Sequence, residues 1–330
     1  MTYKKKASIL AAVVAALALA NIFTFVFVPG ASRSNSFAWL DTTFLASADR
    51  IELYGRDAIS AEGNNNGTPI VLSRKNNRWV FQGDKAELPV KQARVEDLFA
   101  SISRKAVYPK RAVSVEARKA LVLEEGRSSR IVIHGGAGLP LLDLMIGTAD
   151  ALSREVYLRK AGQNDIYSGE DLFTVYTESN PVYWYDLRLF PADDRAPTEL
   201  LSVEAVQQAE ISIFSEETAE KSQFTLQRER SGWVILHDEN TAVDSQRADA
   251  WLRSVLEAEA DDFGTETPEL IDRSITLHFG NGKTSIIQAG QIDMENTGAL
   301  VSDSDHGFVF SNRTASRLFR EKLHFLKPET

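Results

Sequence analysis

The chain has 330 residues and no cysteine. A disulfide framework, a thiolate metal site, an iron–sulfur cluster and a cysteine nucleophile are therefore excluded together. Histidine is scarce. The five are His134, His237, His278, His306 and His324, and no two stand at the i, i+4 spacing that puts two imidazoles on one helical face for zinc. Cations are outnumbered, with 37 Lys and Arg against 46 Asp and Glu and a formal charge of -9. A nucleic-acid partner is excluded on that balance, because a phosphate-binding surface needs clustered Lys and Arg. No Gly-x-Ser-x-Gly elbow is present. Gly280-Asn-Gly282-Lys283-Thr284 ends like a phosphate loop, yet Leu277 stands where the first glycine belongs, so an Asn-Gly hairpin is expected. Gly135-Gly136-Ala-Gly138-Leu-Pro140 reads as a turn for a similar reason: proline occupies the start of the binding helix. Asp303-Ser-Asp305-His306 lacks the glycine and distal glutamate of a calcium loop. The sequence thus points to no cofactor, no metal and no catalytic residue.

What is present is apolar area and one long apolar run. Seventeen Phe, eight Tyr and five Trp supply enough surface to fold more than one core, and the length suggests two domains. Lys4-Lys5-Lys6 precedes Ala7 to Val28, a stretch without a charge that ends at Pro29-Gly30. As a helix rising about 1.5 Å per residue it would reach roughly 33 Å, enough to cross a hydrocarbon core about 30 Å thick. Three lysines before it and none inside predict a cytoplasmic N-terminus and an extracytoplasmic remainder at a bacterial inner membrane. The competing reading is a signal peptide cleaved after Ala20, since Ala18-Leu19-Ala20 has the small residues of a cleavage site. Continuation of the apolar run through Ile22 to Val28 favours an uncleaved anchor. Beyond residue 30 the chain carries 34 basic and 46 acidic residues, or -12, which keeps it clear of anionic head groups. Phe37-Ala-Trp39-Leu40 is expected near the membrane interface.

The remainder repeats one order of elements. Ile51-Glu-Leu53 and Ile211-Ser-Ile213 read as strands. Ile70 to Phe81 and Phe224 to Ile235 read as hairpins, with Trp79 and Trp233 in matching places. Val90 to Ile102 and Ala248 to Leu256 recur apolar at three- and four-residue steps, which predicts amphipathic helices. Arg130 to Gly136 matches Ser274 to Gly280, including His134 and His278, which are read as strand-end residues. Met145-Ile146-Gly147 matches Ile286 to Gly290, and Ile166-Tyr167-Ser168 matches Phe308 to Asn312, each before a short helix. Two prolines around a polar stretch mark a seam at Phe190 to Pro197. The expected class is α+β: a transmembrane helix, then two tandem related units, each a mainly antiparallel sheet with one or two packed helices. The expected boundaries are 1–30 for the basic tip and anchor, 31–40 for a juxtamembrane linker, 41–190 for the first unit, 191–197 for a linker and 198–330 for the second unit.

The hairpin at Leu72 to Val80, the helix at Val95-Glu-Asp-Leu98, the strands Leu144-Met-Ile146-Gly147 and Glu155-Val-Tyr157-Leu158, and the closing Asp186-Leu187-Arg188-Leu189-Phe190 carry a resemblance. Together they resemble the bacterial DUF4340 family, over about residues 41–190 and more loosely in the second half. That resemblance implies an N-terminal membrane anchor, an extracytoplasmic α+β domain, and association with ABC-type permeases and gliding-type auxiliary proteins. It carries no catalytic motif over. One surface stands out from the residues themselves. Along a strand, the adjacent aromatics Tyr183, Trp184 and Tyr185 cannot all face one core, which makes them candidate partner-binding residues. Two functional expectations follow. The first is a non-enzymatic, membrane-tethered accessory subunit of an ABC-type transport or envelope complex; the second is an extracytoplasmic ligand-binding or hydrolytic protein with a site between the two repeats.

Overall fold

The computed structural model describes residues 36–56, 69–83, 86–136, 138, 140–150, 152, 154–190, 202–215, 220–238, 241–264 and 268–327. The apolar run 7–28, with the anchor and cleavage site read from it, and the linker 191–197 lie outside the described residues. Among the described residues no helix is long and apolar enough to cross a membrane. The chain is sheet-rich α+β, with mostly antiparallel strands and few helices, and divides into two compact units. One comprises residues up to Glu87 together with Lys91–Tyr183. The other comprises Leu88–Val90 and Trp184 onward.

The first unit, with β5 straddling its limit at Glu87, runs β1 (Ser36–Phe37), α1 (Thr42–Leu45), β2 (Ala48–Tyr54), β3 (Ile70–Lys75), β4 (Arg78–Gln82), β5 (Glu87–Pro89), α2 (Gln92–Ser103), β6 (Ala106–Val107), β7 (Lys110–Ala112), α3 (Val115–Ala120), β8 (Ser129–Gly135), β9 (Pro140–Ala149), β10 (Glu155–Lys160), β11 (Ile166–Glu170) and α4 (Thr174–Thr177). Its large sheet has the order β5-β4-β3-β2-β8-β9-β10-β11-β7. Every pairing from β4 to β7 is antiparallel. Asn76 and Asn77 close the β3–β4 hairpin with φ of 49° and 65°, the positive pair that a two-residue hairpin turn requires. Helix α2 buries Val95, Leu98 and Ile102, one stripe at three- and four-residue spacing. Trp39 differs from its expected interfacial place: it is 2% exposed, because its amide donates to the Ile102 carbonyl and its ring packs against Tyr108 and Tyr167.

The second unit runs β12 (Val206–Ser215), β13 (Glu220–Glu229), β14 (Gly232–Ile235), α5 (Ser245–Leu256), β15 (Asp262–Gly264), β16 (Arg273–Phe279), β17 (Thr284–Gln291), β18 (Asn296–Val301), β19 (Gly307–Ser311) and α6 (Asn312–Leu318). Its sheet has the order β14-β13-β12-β16-β17-β18-β19-β15. Taken strand by strand in chain order, this is the order of the first sheet from β4 to β7. Helix α5 buries Ala248, Trp251, Leu252, Val255 and Leu256 and starts at Asp244, whose carboxylate accepts the amides of Gln246 and Arg247.

Local devices recur at matching places in the two sheets. The Trp79 amide donates to Gln92 Oε1 (2.9 Å) and the Trp233 amide to Ser245 Oγ (2.9 Å), so in each unit the first helical residue holds the hairpin's tryptophan. Arg74 and Arg228, each facing its tryptophan across a hairpin, donate to main-chain carbonyls around the start of β2 and β12, at Ala46 and at Val203 and Val206. Gly147 and Gly290 each follow the residue paired with the first position of β8 or β16. A Cβ on Gly147 would lie 2.3 Å from the Leu121 carbonyl oxygen, and one on Gly290 would lie 1.8 Å from that of Leu270. In both units a connecting segment crosses the sheet there, and only glycine leaves room for its backbone.

Candidate functional site

Tyr183, Trp184 and Tyr185 do not lie along a strand. Asn180 and Pro181 start a 3-10 turn over Pro181–Tyr183, in which the Val182 amide donates to the Asn180 side chain. Tyr183 is half-buried with the Arg94 guanidinium 4.0 Å from its ring centre. Trp184 is 0% exposed. Tyr185 is half-buried, its ring 5.4 Å from that of Phe263, and burial, aided by the Asp262 carboxylate, pushes its phenol above the usual range.

The sequence decoys resolve into structure. Gly280 to Thr284 is the β16–β17 hairpin, with Gly282 at φ 81° and Lys283 paired to Asp303 at 2.7 Å. Burial pushes the Asp303 carboxyl up, but Lys283 and Ser285, each 2.7 Å away, outweigh it and hold it below the ordinary carboxylate range. Among the described residues no three His, Asp or Glu stand together as metal ligands.

A pairing that sequence reading missed is the one between histidine and glutamate. His134 on β8 faces Arg50 across the ladder and lies 3.7 Å from Glu52, the next residue on the same face of β2. His278 on β16 faces Gln208 and lies 3.0 Å from Glu210 on β12. Arg50 and Gln208 each donate to that glutamate, at 2.9 and 3.1 Å. The same three-residue arrangement therefore stands on both sheets, on the faces turned away from Ile51, Ile133, Ala209, Ile211 and Leu277, which are fully buried.

Around this shared pair the faces diverge. In the first unit Tyr54 donates to Glu52 at 2.8 Å, and burial followed by the Glu52 hydrogen bond and charge pushes its phenol up to about 12. Arg130 forks onto Asp143 with bonds of 2.6 and 2.5 Å. Arg159 is 3% exposed and donates to the carbonyls of Leu123 and Gln163 and to Met145 Sδ, pinning the segment after α3 onto the sheet. In the second unit Tyr54, Arg130, Met145 and Arg159 are replaced register for register by Ser212, Ser274, Gln288 and Leu300. His278 Nδ1 lies 3.2 Å from Thr284 Oγ1, so a carboxylate, an imidazole and a hydroxyl stand in one row. The row sits on open sheet with Thr284 exposed, where water reaches each member and competes with any substrate. A broad hollow of about 670 Å³ lies elsewhere, lined by Gln207, Arg228, Glu229, Arg230 and Ser231. Arg228 there is already committed to Asp249 at 3.0 Å and to the Trp233 ring.

A family model described as a domain of unknown function (DUF4340) matches residues 79–272, from β4 of the first unit to the residue before β16 of the second. The match crosses the seam at 190–197, so its limits do not follow either unit. No curated protein and no solved structure matches the chain.

Proposed function

We propose, from the premise that the chain belongs to the DUF4340 family, that it is a single-pass, membrane-anchored accessory subunit. It binds a permease of ABC type or another envelope protein on the extracytoplasmic side of a bacterial inner membrane. The anchor is Ala7 to Val28, and the two sheet units are tandem related copies held outside. The observation that carries the membrane reading is that uncharged run behind three lysines. What supports the tandem reading is the shared strand order together with the paired tryptophan, arginine, glycine and Glu–His devices. Binding rather than catalysis is favoured by the site's form, because the His278–Glu210 pair sits on a broad sheet face that suits a protein surface.

The test is membrane fractionation followed by mild detergent solubilisation and affinity recovery of the full chain. The expected result is a chain that resists alkaline washing, is digested by protease only from the extracytoplasmic side, and brings a permease or other membrane protein with it. A mature chain beginning at Asn21, or recovery of no membrane partner, would overturn the proposal.

A further inference from the structure

We propose that the outer face of the second unit's sheet docks a protein partner whose contact patch is uncharged at its centre and basic at its rim. This rests on the accessory-subunit reading and locates the contact within it. The face is built from Gln208, Ser212, Ser274, Thr276, Ile286 and Gln288, on strands β12, β16 and β17. Their neighbours in sequence, among them Ala209, Ile211, Ile275, Leu277, Ile287 and Ala289, are 0% exposed, so strand alternation turns the first set outward. The equivalent face of the first unit is braced by Arg130–Asp143 and closed by the segment that Arg159 holds. The second has Ser274 and Leu300 in place of the two arginines, and its own crossing segment packs over Gly290 and Gly298 and leaves Ile286 36% exposed.

Charge says what suits this face. Residues 31–183 carry 20 Lys or Arg against 19 Asp or Glu, whereas residues 184–330 carry 14 against 27. The acidic excess beyond residue 30 therefore belongs to the second unit, yet its open face is nearly free of it. Among the described residues at the centre of that face the carboxylate is Glu210, and it is occupied by His278 and Gln208. Amides and hydroxyls are cheaper to strip of water than carboxylates, and the centres of protein interfaces are depleted in charge in the same way. Exposed acids stand at its margins, Glu229 at the end of β13 and Glu269 on the segment that crosses at Gly290, against Lys221 opposite Phe214, and with the unit's net negative field they steer a partner of opposite sign. Phe214 supplies an apolar anchor at one margin: it is 38% exposed, and its amide donates to the Asp272 carbonyl. A second copy of the chain fits less well, because two units of the same acidic sign repel. A glycan fits less well because, among the described residues, the face offers one phenyl ring, Phe214 at its margin, for stacking.

The experiment places a photo-reactive amino acid at Gln223, which is exposed on β13 opposite Ser212, or at Gln288 of the full chain, in cells, with Leu152 as the control. Leu152 is 97% exposed on the first unit. Unchanged melting of each variant shows that folding is intact. The expected result is a protein adduct at 223 and at 288, about tenfold above the control, whose yield drops about tenfold from low to high salt as rim attraction is screened. The captured peptide should be flanked by Lys and Arg. The proposal is overturned by adduct levels no higher than at Leu152, by an adduct between two copies of this chain, by a glycan adduct, by a salt-independent yield, or by an acidic captured peptide. If a membrane partner co-purifies while residues 223 and 288 stay silent, the docking face is wrong and the accessory reading stands. If no membrane partner is recovered either, both fall.

Discussion

At one register position the first sheet carries Arg159 and the second carries Leu300. That difference accompanies two uses of the same strand order. In the first unit a buried guanidinium draws a carbonyl-rich segment onto the sheet, and the neighbouring charges neutralise one another in fixed pairs. In the second, Ser212, Ser274 and Gln288 stand in place of Tyr54, Arg130 and Met145, and Glu210 is the carboxylate kept at the centre of the face, held by His278 and Gln208. One plan can thus be made self-contained or left open by a few side chains on the face that does not build the core. Core positions keep their places but not their sizes: Ile51, Leu142, Ile146 and Leu158 of the first unit have Ala209, Ser285, Ala289 and Ala299 as counterparts, all buried.

The largest test of the shared plan is at the paired glycines. Gly147→Ala and Gly290→Ala should each cost about 3 kcal/mol, since a methyl group would meet backbone rather than a movable side chain. Gly138→Ala is the contrast. Its φ is +71° with nothing within 4 Å of the added carbon, so only left-handed strain of about 1 kcal/mol is expected. Urea unfolding measures all three, and equal costs would break the argument. Next, Arg159→Leu gives the first unit the residue of the second. It should cost about 2 kcal/mol because the Leu123 and Gln163 carbonyls lose their charged donor, while Leu300→Arg should bring no gain. Smaller still, Ser245→Ala should cost about 1 kcal/mol through the lost bond from the Trp233 amide, and Gln92→Ala a similar amount through Trp79. Near neutral pH Tyr54 keeps its proton in both the folded and the unfolded chain, so through this group stability does not change with pH there. The folded chain holds the Tyr54 proton more tightly than the unfolded one, so this stabilisation is whole below pH 10 and is lost as pH rises towards 12. Tyr54→Phe should flatten that alkaline decline and remove the latest-ionising tyrosine from an ultraviolet titration. An unchanged titration would show that Glu52 and burial do not act on Tyr54.

Much of this was legible in the sequence because its signals are local. Asn76-Asn77 announces a hairpin through its tolerance of positive φ, and Val95, Leu98 and Ile102 announce a helix through spacing. Trp79 and Trp233, Gly147 and Gly290, and His134 and His278 could be paired by kind and order. The Glu–His contacts could not. Matching Ile51–Leu53 to Ile211–Ile213 is two residues out, since Ile51 opposite Ile133 corresponds to Ala209 opposite Leu277. A slip of two keeps every side chain on its own face, so alternation gives no warning, and it hides that Glu52 and Glu210 are counterparts. The strand geometry assumed for the aromatic triplet fails for a different reason: Pro181 fixes a 3-10 turn, and the two-residue period of a strand does not apply to Tyr183 and Trp184.

The account's central claim is that the second unit binds through a sheet face whose counterpart in the first unit is buried at Val132 and Met145. The most direct measurement is recovery of the membrane partner by full chains carrying lysines on one unit or the other. Gln223→Lys with Gln288→Lys puts two cations on the open face, and Ala149→Lys with Leu152→Lys puts two on exposed positions of the first unit. Recovery should fall about tenfold for the second-unit pair, whose lysines oppose a basic rim, and stay unchanged for the first-unit pair. Equal recovery by both pairs, or loss confined to the first-unit pair, would contradict the account.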